Sequence, residues 1–111
     1  MTDIPFFDLK AANAPFEAAL AAEAAATIRS GWFILGKRVE QFEAEFASYC
    51  GTRHAIGVAS GLDALTLTLR AWKEQRRLKD GDGVVVAANT YIASILAITE
   101  TRLRPILVEP D

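Results

Sequence analysis

Hydrophobic positions recur at helical spacing through the first half of the chain. Alanine dominates from Pro15 to Ser30, and because alanine is the strongest helix former, the segment is predicted to be a helix that Gly31 ends. A second helix is predicted from Arg38 to Cys50. Its large apolar side chains share one face: Val39, Phe42, Phe46 and Tyr49. Residues 3–10 are predicted to be an extended arm.

The second half of the chain alternates strand and helix patterns. Strands are predicted at 54–58, 84–86 and 105–108, and helices at 62–74 and 91–101. This alternation predicts an α/β fold with parallel strands. The unbroken β-branched run at 84–86 is typical of a strand that is buried on both faces. No Pro-, Gly- or Ser-rich linker divides the chain. We therefore expect one partial domain, with an arm and helices in 1–51 and a β-α-β-α-β segment in 52–111.

Composition narrows the functional classes. Apolar residues make up 51% of the chain, charged residues make up 23%, and the net charge is −2, which gives no reason to expect a nucleic-acid partner. Cys50 is the single cysteine, which fits a reducing compartment. The amino terminus lacks a signal-peptide pattern, and the apolar run at 92–98 is far too short for a bilayer. We expect a cytoplasmic protein with no membrane partner. His54 lacks metal-ligand neighbours, so no metal site is expected.

Small and polar residues follow the first predicted strand: Ala59-Ser60-Gly61-Leu62-Asp63. Ligands of open parallel sheets bind beyond the carboxyl ends of the strands. Free N–H groups at the start of the next helix favour an anion, and Gly61 allows close backbone approach. The Ser60 hydroxyl can donate as well. The alternative is a plain helix cap, in which Ser60 or Asp63 satisfies the helix start.

A second candidate loop follows the next predicted strand: Ala88-Asn89-Thr90-Tyr91. It places an aromatic ring and two polar groups at a strand end, where the ring of Tyr91 can stack on a flat cofactor. The alternative is that Tyr91 packs under a loop while Asn89 caps the next helix. Neither loop contains a GxGxxG, P-loop or HExxH motif.

These two strand ends, together with the second predicted helix, resemble the sugar-nucleotide aminotransferases of the DegT/DnrJ/EryC1/StrS family. The resemblance covers nearly the whole chain, and the joint order and spacing of its segments are highly specific. The matching segments are 7–10, 30–36, 39–47, 49–51, 54–65, 88–94 and 105–111.

The resemblance implies the aspartate-aminotransferase-like fold, fold type I, of which this chain would form an incomplete, N-terminal part. That large domain has three α/β/α layers around a mostly parallel sheet. In the family, the loop matching Gly61-Leu62-Asp63 holds the phosphate of pyridoxal 5'-phosphate (PLP) through backbone N–H groups, and the aromatic residue matching Tyr91 stacks on the pyridine ring. The implied cofactor-binding residues are Ser60, Gly61, Leu62, Asp63, Asn89 and Tyr91. Trp32 and Phe33 are expected to contact the substrate.

The resemblance also implies a reaction. A lysine holds PLP covalently as a Schiff base, glutamate gives its amino group, and a keto sugar on a nucleoside diphosphate receives it. The Gly-Leu-Asp-Ala-Leu form at 61–65 is similar to enzymes that aminate a 3-keto-6-deoxyhexose. Active sites of this fold are built across a dimer interface, so a homodimer is expected.

Several features set this chain apart from the family pattern. The family's lysine and the acidic partner of the ring nitrogen have no match within residues 1–111, so these residues alone are expected to be inactive. Gly83, Ala87 and Arg102 stand where the family usually has Glu, Pro and a small residue. The alternative class is a non-catalytic α/β module, or a gene remnant, that binds a phosphate-containing ligand or a partner chain.

Overall fold

The computed structural model describes residues 6–110. Contacts divide the chain into two compact units, with the boundary between Ile56 and Gly57. No helix in the described residues is long and apolar enough to cross a membrane.

The first unit is built from helices. Helix α1 spans Leu9–Asn13, a short 3-10 turn follows, and α2 spans Glu17–Ser30, while α3 spans Lys37–Cys50. Both longer helices end as predicted, at glycines with left-handed backbone: Gly31 has φ 66° and Gly51 has φ 65°.

The prediction of an extended arm over residues 3–10 is wrong for its last two residues. Residues 3–5 lie outside the described residues, but α1 begins at Leu9. Asp8 explains the helix, because its Oδ1 accepts a hydrogen bond from the Ala11 N–H at 2.9 Å and so caps the first turn.

The aromatic face predicted for α3 is formed. The rings of Phe42 and Phe46 stack with centroids 5.5 Å apart, and those of Phe46 and Tyr49 lie 6.4 Å apart. All three side chains are nevertheless exposed, and Ala47 is the buried residue of this helix.

The second unit contains the sheet. Helix α4 spans Gly61–Glu74, β1 spans Gly83–Ala87, α5 spans Ile92–Glu100 and β2 spans Arg104–Val108. The strands are parallel, as predicted, and pair from Gly83–Arg104 to Ala87–Val108. The core lies where α4, α5 and the strands meet, and its members are Leu69, Ala97, Ile98 and Leu103, with Leu62, Leu78, Val84 and Val86 packed against them.

Two predictions about strands are wrong in this structure. Residues 54–58 form no strand. A strand requires a neighbour to pair its N–H and C=O groups, and the sheet in residues 6–110 contains only β1 and β2. Val84–Val86 is not buried on both faces, because Val85 is 64% exposed while its two neighbours pack against the core. The described residues cover one face of the sheet only.

Two departures from the family pattern have local explanations. A Cβ on Gly83 would lie 2.5 Å from Ile106 Cδ1, so the side chain of Ile106 occupies the space that a larger residue would need. Arg102 adopts a left-handed φ of 59°, a conformation that favours glycine and costs about 1 kcal/mol for other residues. The structure gives no explanation for Ala87.

One buried side-chain polar atom of α4 lacks a hydrogen-bond partner among the described residues. Thr66 is buried, three residues before Leu69 on the same side of α4. Among the described residues, no group forms a hydrogen bond with its Oγ1. A buried hydroxyl without a partner destabilises the fold, because it loses its bonds to water.

We therefore expect Thr66→Val to raise the free energy of unfolding by about 1 kcal/mol. The matched control is Thr68→Val, since exposed Thr68 donates to the Ala64 carbonyl at 2.7 Å and its loss brings no such gain. Urea unfolding followed by circular dichroism measures both variants. A Thr66→Val variant less stable than wild type would contradict the prediction.

Candidate functional site

Ser60 caps helix α4. Its backbone is extended, with φ −156° and ψ 166°, and its Oγ accepts a hydrogen bond from the Asp63 N–H at 3.1 Å. The Ser60 hydroxyl in turn donates to Asp63 Oδ2 at 2.7 Å. The capping alternative is therefore present in the structure. The hydroxyl proton of Ser60 is committed to Asp63, so in this conformation it does not serve an anion.

The cap leaves part of the first turn of α4 open. Ser60 satisfies the N–H of Asp63, and its carbonyl accepts from the N–H of Ala64 at 3.0 Å. Within residues 6–110, no acceptor meets the N–H groups of Gly61 and Leu62. These N–H groups lie at the positive end of the helix dipole, where an anion is stabilised. Capping and anion binding are thus compatible, since they use different N–H groups.

Gly61 provides room beside these N–H groups. A Cβ built at this position has nothing within 4 Å, so the backbone is open to an approaching group. Leu62 differs, because its side chain packs against the core and only its backbone is offered. The open backbone at Gly61 fits a phosphate group.

The second loop turns tightly after β1. The Ala88 N–H donates to Val108 O at 2.8 Å, and the Thr90 N–H donates to Ala87 O at 3.2 Å. Tyr91 then starts α5 with φ −64° and ψ 142°. The loop therefore brings Tyr91 directly beyond the carboxyl end of the strand.

Tyr91 presents its side chain to solvent. The residue is 80% exposed, so it does not pack under a loop, and no side chain caps α5, so the capping role considered for Asn89 is absent. Instead Thr90 Oγ1 and Ser94 Oγ form a hydrogen bond of 3.0 Å across the first turn. An exposed ring at a strand end is free to stack on a planar ligand.

Both loops belong to the second unit and begin helices that pack on each other. Leu69 of α4 contacts the cluster formed by Ala97 and Ile98 of α5. At the other end of α4, Lys73 Nζ donates to the carbonyl of Thr101, which follows α5, at 2.8 Å. Because the carboxyl ends of the two helices meet there, their amino-terminal turns carry Gly61 and Tyr91 at the opposite ends.

Trp32 and Phe33 belong to the first unit, whereas the other six candidates belong to the second. Trp32 is held by its Nε1, which donates to Ile34 O at 2.8 Å. It lines a cavity of about 400 Å³ that Lys37 and Arg38 also line. Phe33 is exposed. The first unit thus places an aromatic ring beside two cations.

Comparison with known proteins identifies similar chains. The chain is 50% identical over 108 residues to dTDP-3-amino-3,6-dideoxy-alpha-D-galactopyranose transaminase of Aneurinibacillus thermoaerophilus, covering 97% of this chain and 29% of the relative. It matches the crystal structure of S. venezuelae DesV in complex with a ketimine intermediate with TM-score 0.88 and 47% identity, over 100% of this chain and 29% of that chain.

A more distant match is E. coli GDP-4-keto-6-deoxy-D-mannose-3-dehydratase with bound hydrated PLP, with TM-score 0.73 and 30% identity over 78% of this chain and 23% of that chain. These structures confirm the fold class predicted from the sequence, a partial α/β fold of the fold type I transferases. The chain spans 29% of the length of the A. thermoaerophilus transaminase.

The sequence model of the DegT/DnrJ/EryC1/StrS aminotransferase family matches residues 16–111, and this chain belongs to that family.

Proposed function

We propose that residues 1–111 form part of a PLP-dependent enzyme that transfers an amino group from glutamate to a keto sugar carried on a nucleoside diphosphate. The observation that carries the proposal is the open first turn of α4. Among the described residues, no acceptor meets the N–H groups of Gly61 and Leu62, and the backbone at Gly61 is open. It occurs in a chain that is 50% identical to a dTDP-amino-sugar transaminase.

The geometry of the two loops supports PLP as the cofactor. The N–H groups of Gly61 and Leu62 would accommodate its phosphate, and the exposed ring of Tyr91 would stack on its pyridine ring. Asn89, exposed in the same turn, offers an amide to the cofactor's polar edge. When bound, PLP supplies an electron sink for the exchange of the amino group. Gly61, Leu62, Asn89 and Tyr91 would contact the cofactor, while Ser60 and Asp63 would bind it indirectly by holding the turn that receives its phosphate.

The first unit supports a nucleotide-sugar substrate. Lys37 and Arg38 line the same cavity as Trp32. Arg38 is paired with Glu23 at 2.7 Å, so the charge of Lys37 is the one that complements a diphosphate. We assign Trp32 and Phe33 to contacts with this substrate. The A. thermoaerophilus relative acts on a dTDP sugar aminated at carbon 3, which supports a 3-keto-6-deoxyhexose as acceptor.

The lysines of residues 1–111 do not supply the group that holds PLP covalently. The ammonium of Lys73 is bound to Thr101 O and Asp80, and Lys10, Lys37 and Lys79 match other parts of the family pattern. We propose that these 111 residues alone are inactive. The exposed thiol of Cys50 fits the reducing cytoplasm as the site of action.

The direct test supplies the complete gene product with PLP, glutamate and a dTDP-3-keto-6-deoxyhexose. We expect one 2-oxoglutarate for each amino sugar formed, measured by coupled assay and mass spectrometry. The matched control omits glutamate. Loss of water from the sugar without amino transfer would instead assign the dehydratase chemistry of the E. coli neighbour, whose lower identity of 30% makes it the less favoured function.

The phosphate assignment is tested by Gly61→Val. The side chain has room in the structure without ligand, so the helix forms, but the added methyl groups occupy the space assigned to phosphate. We expect the dissociation constant for PLP to rise at least about tenfold, since close backbone approach requires glycine. Fluorescence titration of the complete gene product measures it.

The control for Gly61→Val is Ala71→Val, which places the same side chain at an exposed position near the other end of α4. Its PLP affinity is expected to match wild type. Equal PLP affinities for wild type, Gly61→Val and Ala71→Val would show that residues 60–63 only cap the helix and do not bind phosphate.

We propose that the complete protein is a homodimer. Large apolar side chains of the first unit are exposed in two groups, the loop Trp32–Leu35 and the aromatic face of α3. Exposed apolar patches of this kind are typical of interfaces. Sedimentation velocity across a wide concentration range is expected to give a dimer, and a concentration-independent monomer would contradict the proposal.

A further inference from the structure

Lys73 joins the carboxyl ends of α4 and α5. Its Nζ donates to the backbone carbonyl of Thr101 at 2.8 Å and forms an ion pair with Asp80. The side chain of Lys73 is only 23% exposed, and Thr101 is buried. Solvent therefore weakens the hydrogen bond to Thr101 less than it weakens the ion pair to Asp80, whose side chain is 54% exposed.

This contact is the only hydrogen bond between α4 and the end of α5 that the described part of the chain contains. The rest of the interface is apolar: Leu69 packs against Ala97 and Ile98. Thr66, a buried polar residue of α4, has no partner for its Oγ1 among residues 6–110. Apolar packing is non-directional, whereas a hydrogen bond fixes distance and direction. Among residues 6–110, Lys73 therefore supplies the hydrogen-bonded constraint on how far α4 slides along α5.

The loop that carries Asp80, the ion-pair partner of Lys73, is itself held by contacts with the residues that follow α5. Arg102 Nη1 lies 3.4 Å from Asp80 Oδ2, and the Gly81 N–H donates to Arg102 O at 2.9 Å. The Arg104 N–H donates to Asp82 O at 2.9 Å, which joins the same loop to β2. The hydrogen bond from Lys73 is the main cause that lowers the pKa of Asp80, and Arg102 lowers it further.

The two helices carry their ligand loops at the ends away from Lys73. Gly61 lies twelve residues before Lys73, which is about 18 Å along the helix axis. Tyr91 precedes α5, a helix of nine residues and about 13 Å, which Thr101 follows. The hydrogen bonds along each helix fix its residues relative to one another, so a different offset at the Lys73 contact would change the separation of the Gly61 N–H and the Tyr91 ring.

We propose that Lys73 is a positioning residue for the cofactor: through Thr101 it sets the offset of α4 along α5, and so the spacing between the phosphate-binding turn and the stacking ring. The proposal rests on the proposed function, in which one PLP molecule contacts both loops. Lys73 itself does not touch the cofactor.

The test compares Lys73→Met, Lys73→Arg and Lys79→Met in the complete gene product. Methionine keeps the apolar length of the side chain and loses the donor, whereas arginine keeps donors for both Thr101 O and Asp80. Lys79 is the matched control, an exposed lysine six residues away whose side chain is outside the contact. The readouts are the dissociation constant for PLP and the circular dichroism of the bound cofactor, which reports how its ring is oriented.

We expect Lys73→Met to weaken PLP binding roughly tenfold and to change the cofactor dichroism, because small misplacements of binding groups have effects of this order. Lys73→Arg is expected to restore both, and Lys79→Met to equal wild type. If Lys73→Met does not fold, Lys73→Gln, which keeps a neutral donor, supplies the comparison.

Two results would overturn the proposal, and they differ. In the first, wild type binds PLP normally and folded Lys73→Met has the same PLP affinity and cofactor dichroism. This result would leave the proposed function intact and show that Lys73 does not position the cofactor. Failure of wild type itself to bind PLP would refute the proposed function and this inference together.

Discussion

The apolar contact between α4 and α5 is the constraint on which the rest of the second unit depends. Ala97 is fully buried at its centre, and its small side chain lets Leu69 approach closely. The same cluster receives Val84 and Val86 from β1, so the strand and both helices share one core. Each ligand loop is a short connection into one of these helices. The candidate loops therefore take their positions from the core and, in our proposal, from the Lys73 contact, and their own residues add only local geometry.

Electrostatics then decides what the first turn of α4 can hold. A helix start offers several N–H groups, and a cap satisfies only some of them. Ser60 takes the third N–H through its side chain, which stabilises the turn without occupying the first two. The Asp63 carboxylate accepts a hydrogen bond from the Ser60 hydroxyl, so it is bound to the capping residue in the same turn. The result is a rigid turn that is still open to an anion at Gly61.

Local sequence patterns predicted most elements because their causes are local. Glycines after α2 and α3 end those helices through left-handed backbone, and α4 runs to the predicted Glu74. Small and polar residues after apolar runs predicted both candidate ligand loops, and the structure places each at the start of a helix. The structure then separated their alternative roles: Ser60 does cap its helix, whereas Asn89 does not.

Predictions failed where the cause lies far away along the chain. The strand expected at 54–58 needs a paired neighbour, which composition cannot reveal. The exposure of Val85 depends on whether a second layer covers the sheet. The Lys73 contact joins residues 28 positions apart, and a lysine in the last turn of a helix carries no signal of such a partner. Arg102 was noted where the family usually has a small residue, and its left-handed φ of 59° explains why glycine suits that position.

The most direct measurement of the central claim is a crystal structure of the complete gene product with PLP. The account predicts that phosphate oxygens accept hydrogen bonds of about 2.7–3.2 Å from the N–H groups of Gly61 and Leu62, with the Tyr91 ring stacked on the pyridine. A cofactor bound with its phosphate away from the first turn of α4 would contradict it.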